Sequence, residues 1–154
     1  MDQGILVSDE SFWEKTNELI GESPGIYKLH CYKGNSKEYI PINRLLGTDS
    51  EGLLYIGCGK SLSLRVNFLM MALSAAAGKK GYTDISKHSC GYKYRNEKIQ
   101  QVVPYENLYI TVYPNIEKDP YVYEREELEY YENKFGEAPP FNEARSRAKR
   151  LSGC

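Results

Sequence analysis

The spacing of apolar and polar positions along the chain predicts three strands and three main helices. The strands are short apolar or alternating runs bounded by glycine or proline, at residues 25–32, 53–57 and 107–113. The helices carry apolar side chains at intervals of three and four residues, at residues 9–20, 62–73 and 121–135. The polar, glycine-punctuated region before the third strand predicts one short helix near 84–88 and an extended segment at 91–94.

This order of elements predicts an α/β protein of the α+β type, built as a small antiparallel three-stranded sheet flanked by helices. The first two strands would pair as a long hairpin. No linker divides the chain, so we expect a single domain over residues 1–154. Residues 33–52 form an enlarged loop inserted between the first two strands, and residues 143–154 form a basic C-terminal tail.

The composition is that of an ordinary globular chain, with 41% hydrophobic and 27% charged residues. No apolar run approaches the roughly 18–20 residues that a membrane span needs. The N-terminus lacks the basic start and apolar stretch of a signal peptide, so we expect a cytoplasmic protein that binds no membrane. The four cysteines are widely spaced without a Cys-x-x-Cys pair, which predicts free thiols rather than disulfides or a zinc site.

The net charge of −1 alone gives little support to a nucleic-acid partner, because phosphate contacts need clustered cations. The cations do cluster, at residues 79–98 and 145–150, whereas acidic residues concentrate at 2–22 and 117–137. Each stretch taken by itself is also compatible with an ordinary solvated surface. The distribution of charge therefore permits a nucleic-acid ligand without requiring one.

Two tripeptides in the predicted strands carry the strongest functional signal. Gly25-Ile26-Tyr27 lies in the first strand, Tyr55-Ile56-Gly57 lies in the second, and Arg65 follows eight residues later on the next helix. Two such tripeptides in this order, followed by an arginine and by an acidic helix, seldom arise by chance, even in a chain with 14 tyrosines. On these residues the chain resembles the GIY-YIG nuclease family over most of its length.

The resemblance implies a metal-dependent endonuclease that hydrolyses DNA with one Mg²⁺ or Mn²⁺ ion. It implies that Tyr27 is the general base, that Tyr55 assists it by hydrogen bonding and that Arg65 binds the phosphate. A free tyrosine has a pKa near 10, so a base at neutral pH needs a pKa lowered to about 7. Nearby cations or a metal-bound water would have to supply that shift. The cations close in sequence are Lys28, Lys33 and Lys60.

Members of the family often carry a histidine or tyrosine between the arginine helix and the third strand, which makes His88 the fourth catalytic candidate. A loop histidine without a role is the alternative. The metal ligand is expected on the last predicted helix, where Glu124 and Glu127 share the apolar face and the family pattern favours Glu124. The residues expected to have structural roles near the site are Gly25, Gly57 and Asn142.

The enlarged loop departs from the short turn that usually joins the two signature strands of the family. Candidate nucleic-acid contacts in this loop and in the basic stretches are Lys37, Arg44, Lys60, Lys93, Arg145 and Arg147. No separate DNA-reading domain is visible, so specificity would come from the loop, the basic tail, dimerisation or a partner. A second hypothesis is a catalytically inactive nucleic-acid-binding or protein-interaction module on the same fold.

Overall fold

The structure is a computed structural model that describes residues 3–142. Its strands are β1 (Gly4–Leu6), β2 (Gly25–Cys31), β3 (Ile42–Arg44), β4 (Gly47–Asp49), β5 (Tyr55–Gly59) and β6 (Leu108–Pro114). Its α-helices are α1 (Phe12–Ile20), α2 (Leu62–Ala76), α3 (Cys90–Tyr94), α4 (Glu97–Val102) and α5 (Pro120–Phe135). Single turns of 3₁₀ helix lie at Ile85–Lys87, where a short helix is predicted, and at Tyr105–Asn107.

Four of the described strands form one antiparallel sheet in the order β1-β6-β2-β5, while β3 and β4 form a separate two-stranded sheet. The predicted α+β architecture, a small antiparallel sheet flanked by helices, is confirmed. The predicted count of three strands falls one short, because β1 adds an edge strand beside β6. With only three residues, β1 is too short to give an alternating pattern that the sequence could reveal.

Side chains of the long strands alternate between the two faces of the main sheet. On one face Tyr27 and Leu29 of β2 join the main core, together with apolar residues of β6, α1, α2 and α3. On the other face Ile56 of β5 packs with Leu128 and Tyr131 of α5 in a smaller cluster. Helices therefore cover both faces, and strand alternation decides which residues of β2 and β5 face the main core.

The last helix is bounded by clear capping signals. It starts at Pro120, where the Asp119 carboxylate accepts a hydrogen bond of 2.9 Å from the backbone N–H of Tyr121. Gly136 follows its last residue in the left-handed conformation, with φ of 81°, which a residue without a Cβ adopts at little cost. The predicted bounds of this helix are therefore correct to within one residue.

The enlarged loop at residues 33–52 contains the β3–β4 hairpin and is tied to α5. Asp49 is buried, and its carboxylate accepts hydrogen bonds from two backbone N–H groups of its own turn and from the Tyr131 hydroxyl at 2.8 Å. Arg44 forms an ion pair with Glu137, just beyond the end of α5. These contacts fix the hairpin against α5 and keep it outside the ladder between β2 and β5.

Two short helices after α2 differ from the sequence-based expectation. The prediction of an extended segment at 91–94 is wrong, since α3 occupies those residues. Tyr94 is fully buried there, and Gly91 packs so closely against the carbonyl oxygen of Ile85 that an added Cβ would overlap with it. Tertiary packing therefore overrides the strand preference of the aromatic residues. The prediction also lacks α4, although Asn96 caps it by accepting hydrogen bonds from two backbone N–H groups.

The predicted basic tail, with Arg145 and Arg147, lies outside the described residues. Within residues 3–142, no helix combines the length and apolar character that crossing a bilayer requires. No disulfide occurs in this part of the chain, whose three cysteines are all buried.

Candidate active site

Tyr27 and Tyr55 lie on the same face of the sheet, on the neighbouring strands β2 and β5. In the antiparallel register Tyr27 is opposite Gly57 and Leu29 is opposite Tyr55, so the two tyrosines are diagonal neighbours. Their ring centroids are 5.9 Å apart, and both side chains are buried. The enlarged loop between the strands leaves this register intact, and the two phenol rings enter one buried cluster.

Glycines make room for the functional side chains. A Cβ added at Gly57 would overlap with the ring and hydroxyl of Tyr27, and one added at Gly59 would lie 2.5 Å from Cγ of Arg65. Gly25 instead lies against the backbone of β6, where a Cβ would overlap with a carbonyl oxygen. The glycines of the signature strands therefore leave space for the tyrosine, for the arginine and for close strand packing.

His88 is part of the same buried cluster. Its Nε2 lies 2.8 Å from the hydroxyl oxygen of Tyr27, and its ring meets that of Tyr55 edge-on with centroids 4.9 Å apart. The backbone N–H of Cys90 donates a hydrogen bond of 3.1 Å to His88 Nδ1. Because Nδ1 accepts, a neutral imidazole carries its proton on Nε2 and donates it to the Tyr27 oxygen. The hydrogen bonds therefore assign His88 as a donor to Tyr27.

Arg65 lies in the first turn of α2 and is partly exposed. Burial alone would lower the pKa of its guanidinium, but attraction to Tyr27 and Tyr55, together with a hydrogen bond to Tyr27, raises that pKa above its usual value. The arginine therefore stays charged and connects the buried phenols to solvent. Its planar fork suits a phosphate oxygen that arrives from outside.

In the protein without metal or substrate, the Tyr27 phenol stays protonated at neutral pH. Burial raises the pKa of this phenol well above its usual value, and the neighbouring Tyr55, Cys90 and Glu124 act in the same direction. Arg65 acts the other way and lowers it. The cation that favours the phenolate is thus the arginine of α2, and not one of the lysines close to Tyr27 in sequence.

The buried carboxylate near the phenols comes from α5. Glu124 is 1% exposed, and its charge is close enough to Tyr27 to act on the pKa of that phenol. It lies one turn before Leu128, which packs in the cluster with β5. Glu127 lies elsewhere: its Oε2 is 3.4 Å from Nζ of Lys28, a side chain on the opposite face of β2 from Tyr27. Glu124, and not Glu127, is therefore the buried carboxylate of α5 whose charge acts on Tyr27.

The donor set of the cluster fits a hydrated divalent cation. Among the described residues, no group of three or more His, Cys, Asp or Glu side chains is arranged to hold a metal ion. Mg²⁺ commonly binds one or two carboxylates and completes its shell with water and substrate phosphates. A single carboxylate such as Glu124 would suit Mg²⁺ or Mn²⁺ held in this way once the side chains that cover it move to admit water. It does not fit a structural zinc site, which takes four Cys or His ligands.

Asn142 closes the free edge of β5. Its Oδ1 accepts a hydrogen bond of 2.9 Å from the Ile56 backbone N–H, and its Nδ2 donates one of 3.0 Å to the Ile56 carbonyl oxygen. The backbone N–H of Phe141 donates to the Leu54 carbonyl oxygen at 2.8 Å. The amide side chain thus replaces a neighbouring strand and holds β5 in place beside the cluster.

The cationic candidates for nucleic-acid contact lie in different settings. Lys37 and Lys60 are exposed, and Lys93 is partly exposed on α3. Arg44 has a side chain only 11% exposed and is paired with Glu137, so its charge is engaged in holding the β3–β4 hairpin. Lys60 directly follows β5 and lies five residues from both Tyr55 and Arg65, and Lys93 lies five residues from His88.

Sequence reasoning missed two residues that shape the cluster. Gly59 leaves space for Arg65, and the alternating glycines at 57–59 are a signal that could have identified it. Cys90 fixes the His88 tautomer through its backbone N–H. A backbone donor leaves no mark on residue type, so no sequence pattern could have indicated it.

Comparison of the chain with protein-family models, curated proteins and solved structures found no match. The functional interpretation therefore depends on the geometry of the cluster and on the residues that carry the resemblance.

Proposed function

We propose that the chain is a GIY-YIG-type endonuclease that hydrolyses DNA phosphodiester bonds with one divalent cation. The observation that carries this proposal is the convergence of the side chains of Tyr27, Tyr55, Arg65 and His88 from two strands, one helix and one loop. The buried carboxylate of Glu124, on a second helix, is close enough to act on the pKa of Tyr27.

Hydrolysis of a phosphodiester needs an activated water and neutralisation of the charge that develops on the phosphoryl oxygens. Arg65 can bind a phosphate oxygen that enters from solvent, because it is partly exposed while it interacts with Tyr27. This would position the scissile phosphate next to the phenol. A divalent cation bound at Glu124 would supply further positive charge to the phosphate and to the departing oxygen.

Tyr27 is the proposed base. The Nε2–H of His88 and the guanidinium of Arg65 both act on it in favour of the phenolate. Burial and the charge of Glu124 oppose them, which keeps the phenol protonated at neutral pH in the protein alone. Tyr27 is also fully buried, so a water can reach its hydroxyl only after a covering side chain moves. We expect the Arg65 side chain to shift towards the phosphate and open this path.

The second candidate function is a catalytically inactive nucleic-acid-binding or interaction module. One observation favours it: Tyr27 is 0% exposed, and its pKa is raised rather than lowered. In such a module the polar cluster would serve only to fix the strands and helices relative to one another. The protein would then bind nucleic acid and leave it intact.

A plasmid-nicking assay separates the two functions. Wild-type protein should nick with Mg²⁺ and not with EDTA, and Arg65→Ala should slow nicking by about 100-fold or more. Lys33→Ala, which removes an exposed cation outside the cluster, is the matched control and should nick like the wild type. Nicking that persists in EDTA, or equal nicking by wild type and Arg65→Ala, would contradict the nuclease and leave the binding module.

A further inference from the structure

The short helices α3 and α4 present a surface that the proposed mechanism does not use. A shallow cavity of about 660 Å³ on this surface is lined by Tyr92, Lys93, Arg95, Asn96 and Ile99. Tyr92 follows His88 by four residues, so their Cα atoms are at most about 14 Å apart. A B-form strand covers that distance in about four nucleotides, at about 3.4 Å each. The cavity therefore lies within reach of a strand bound at the proposed active site.

Of the two tyrosines of helix α3, one is buried in the core and the other is exposed to solvent. Tyr94 is fully buried, and its hydroxyl donates a hydrogen bond of 2.7 Å to the Val103 carbonyl oxygen. Tyr92 is 49% exposed, and the guanidinium carbon of Arg95 lies 5.6 Å from the centroid of its ring. The exposed ring therefore adds little to the core, and it forms with Arg95 a flat, cationic platform.

Charge distinguishes Tyr92 from the other exposed aromatic residues. Among the described residues, the remaining aromatic side chains more than two-fifths exposed are Trp13, Tyr113 and Tyr130. Trp13 and Tyr130 lie in the acidic stretches at 2–22 and 117–137. Tyr113 lies beside Lys28, whose charge is engaged by Glu127. Of these four exposed rings in the described part of the chain, that of Tyr92 alone lies in a stretch where cations predominate.

The two stretches have opposite charge balance. Residues 79–98 contain six lysines and arginines and two acidic residues, whereas residues 117–137 contain three cations and eight acidic residues. A polyanion is therefore attracted towards α3 and repelled from the outer surface of α5. Within the basic stretch, Lys93 follows Tyr92 on α3, and Arg95 directly follows the last residue of that helix.

We infer that Tyr92 and Arg95 form a nucleobase-stacking subsite that takes an unpaired base of the strand being cut, with Lys93 binding an adjacent phosphate. The inference rests on the proposed function, because it assumes a nucleic-acid substrate. It narrows that substrate to DNA that is single-stranded or locally unpaired. Every base has a π face that tyrosine and arginine bind largely irrespective of sequence, whereas a paired duplex exposes such faces only at its ends.

The test measures binding without cleavage. A short single-stranded oligonucleotide with one 2-aminopurine, and the same strand in a duplex, are titrated in EDTA with wild type, Tyr92→Ala, Tyr92→Phe and Tyr130→Ala. Tyr130→Ala is the matched control, since it removes an exposed tyrosine from the acidic stretch. We expect Tyr92→Ala to weaken single-strand binding about tenfold and to lose the 2-aminopurine quenching. Tyr92→Phe and Tyr130→Ala should behave like the wild type.

The inference is overturned if Tyr92→Ala binds the single strand as tightly as the wild type does, if the duplex binds equally well, or if no oligonucleotide binds. The same variants in the nicking assay distinguish this failure from failure of the proposed function. Nicking that persists without a contribution from Tyr92 would refute only the subsite. Binding that depends on Tyr92, without cleavage of either the plasmid or the single-stranded oligonucleotide in Mg²⁺, would refute only the nuclease.

Discussion

The two faces of strand β2 differ in how deeply their polar side chains are buried. On one face Tyr27 is fully buried and contacts His88 at 2.8 Å. On the opposite face Lys28 pairs with Glu127 at 3.4 Å, with side chains 21% and 29% exposed, at a cavity of about 320 Å³. Adjacent residues of one strand therefore meet a closed polar cluster on one side and a partly exposed ion pair on the other.

The same helix carries one buried and one partly exposed carboxylate. Glu124 and Glu127 are three residues apart on α5, but only Glu124 is buried. Its charge acts on the pKa of Tyr27 through protein interior, whereas solvent partly screens the pair of Glu127 with Lys28. The difference teaches that depth beneath the surface, rather than residue type, decides which charges can tune chemistry here.

The largest expected effect comes from replacing the two neighbours on β2 separately. Tyr27→Phe removes the proposed base while keeping the ring, and cleavage should slow by about 10²–10⁴-fold. Lys28→Met removes a charge from the other face and should change the rate by less than about twofold, because the pair is screened. Single-turnover cleavage of plasmid with Mg²⁺ measures both. Similar losses in the two variants would show that the faces do not differ as described.

A pH profile sharpens the comparison further. The raised pKa of Tyr27 leaves its phenol protonated at neutral pH, and the phenolate fraction grows tenfold with each pH unit below that pKa. The wild-type rate should therefore rise about tenfold per unit between about pH 7 and about pH 9, and the residual rate of Tyr27→Phe should lack that slope. A wild-type rate that is already level at neutral pH would contradict the raised pKa.

A smaller effect is expected from filling the space that a glycine leaves on the buried face. Gly57→Ala places a Cβ against the ring and hydroxyl of Tyr27, so we expect a loss of about 1–3 kcal/mol in the free energy of unfolding. Ser50→Ala, at an exposed turn position, is the control and should stay within about 0.5 kcal/mol of the wild type. Urea denaturation measures both. An unchanged midpoint for Gly57→Ala would mean that the strands can separate to accept the methyl group.

Sequence patterns predicted the fold where elements are long and failed where they are short. The strands that carry the site extend over five or more residues and its helices over fifteen or more, which is long enough for alternation or helical spacing to appear. The three-residue β1 is too short to show alternation, and the six-residue α4 makes fewer than two turns, too few to show helical spacing. At 91–94 the aromatic residues favoured a strand, and burial of Tyr94 in a helix overrode that preference.

The candidate site also has features that the sequence could predict and features that it could not. Strand alternation was enough to bring Tyr27 and Tyr55 to one face, because the register fixes every second residue. Helical spacing could not separate Glu124 from Glu127, since positions three apart share a stripe until the packing of α5 is known. The direction of the Tyr27 pKa shift could not be predicted from the sequence either, because desolvation depends on tertiary burial.

In the proposed mechanism, Glu124 is the carboxylate that serves cleavage. Its most direct test is the cleavage rate of Glu124→Gln and Glu127→Gln, each measured as a function of Mg²⁺ concentration. We predict that Glu124→Gln loses at least about 100-fold at every Mg²⁺ concentration, while Glu127→Gln stays within about twofold of the wild type. Equal losses in the two variants, or a loss confined to Glu127→Gln, would contradict the account.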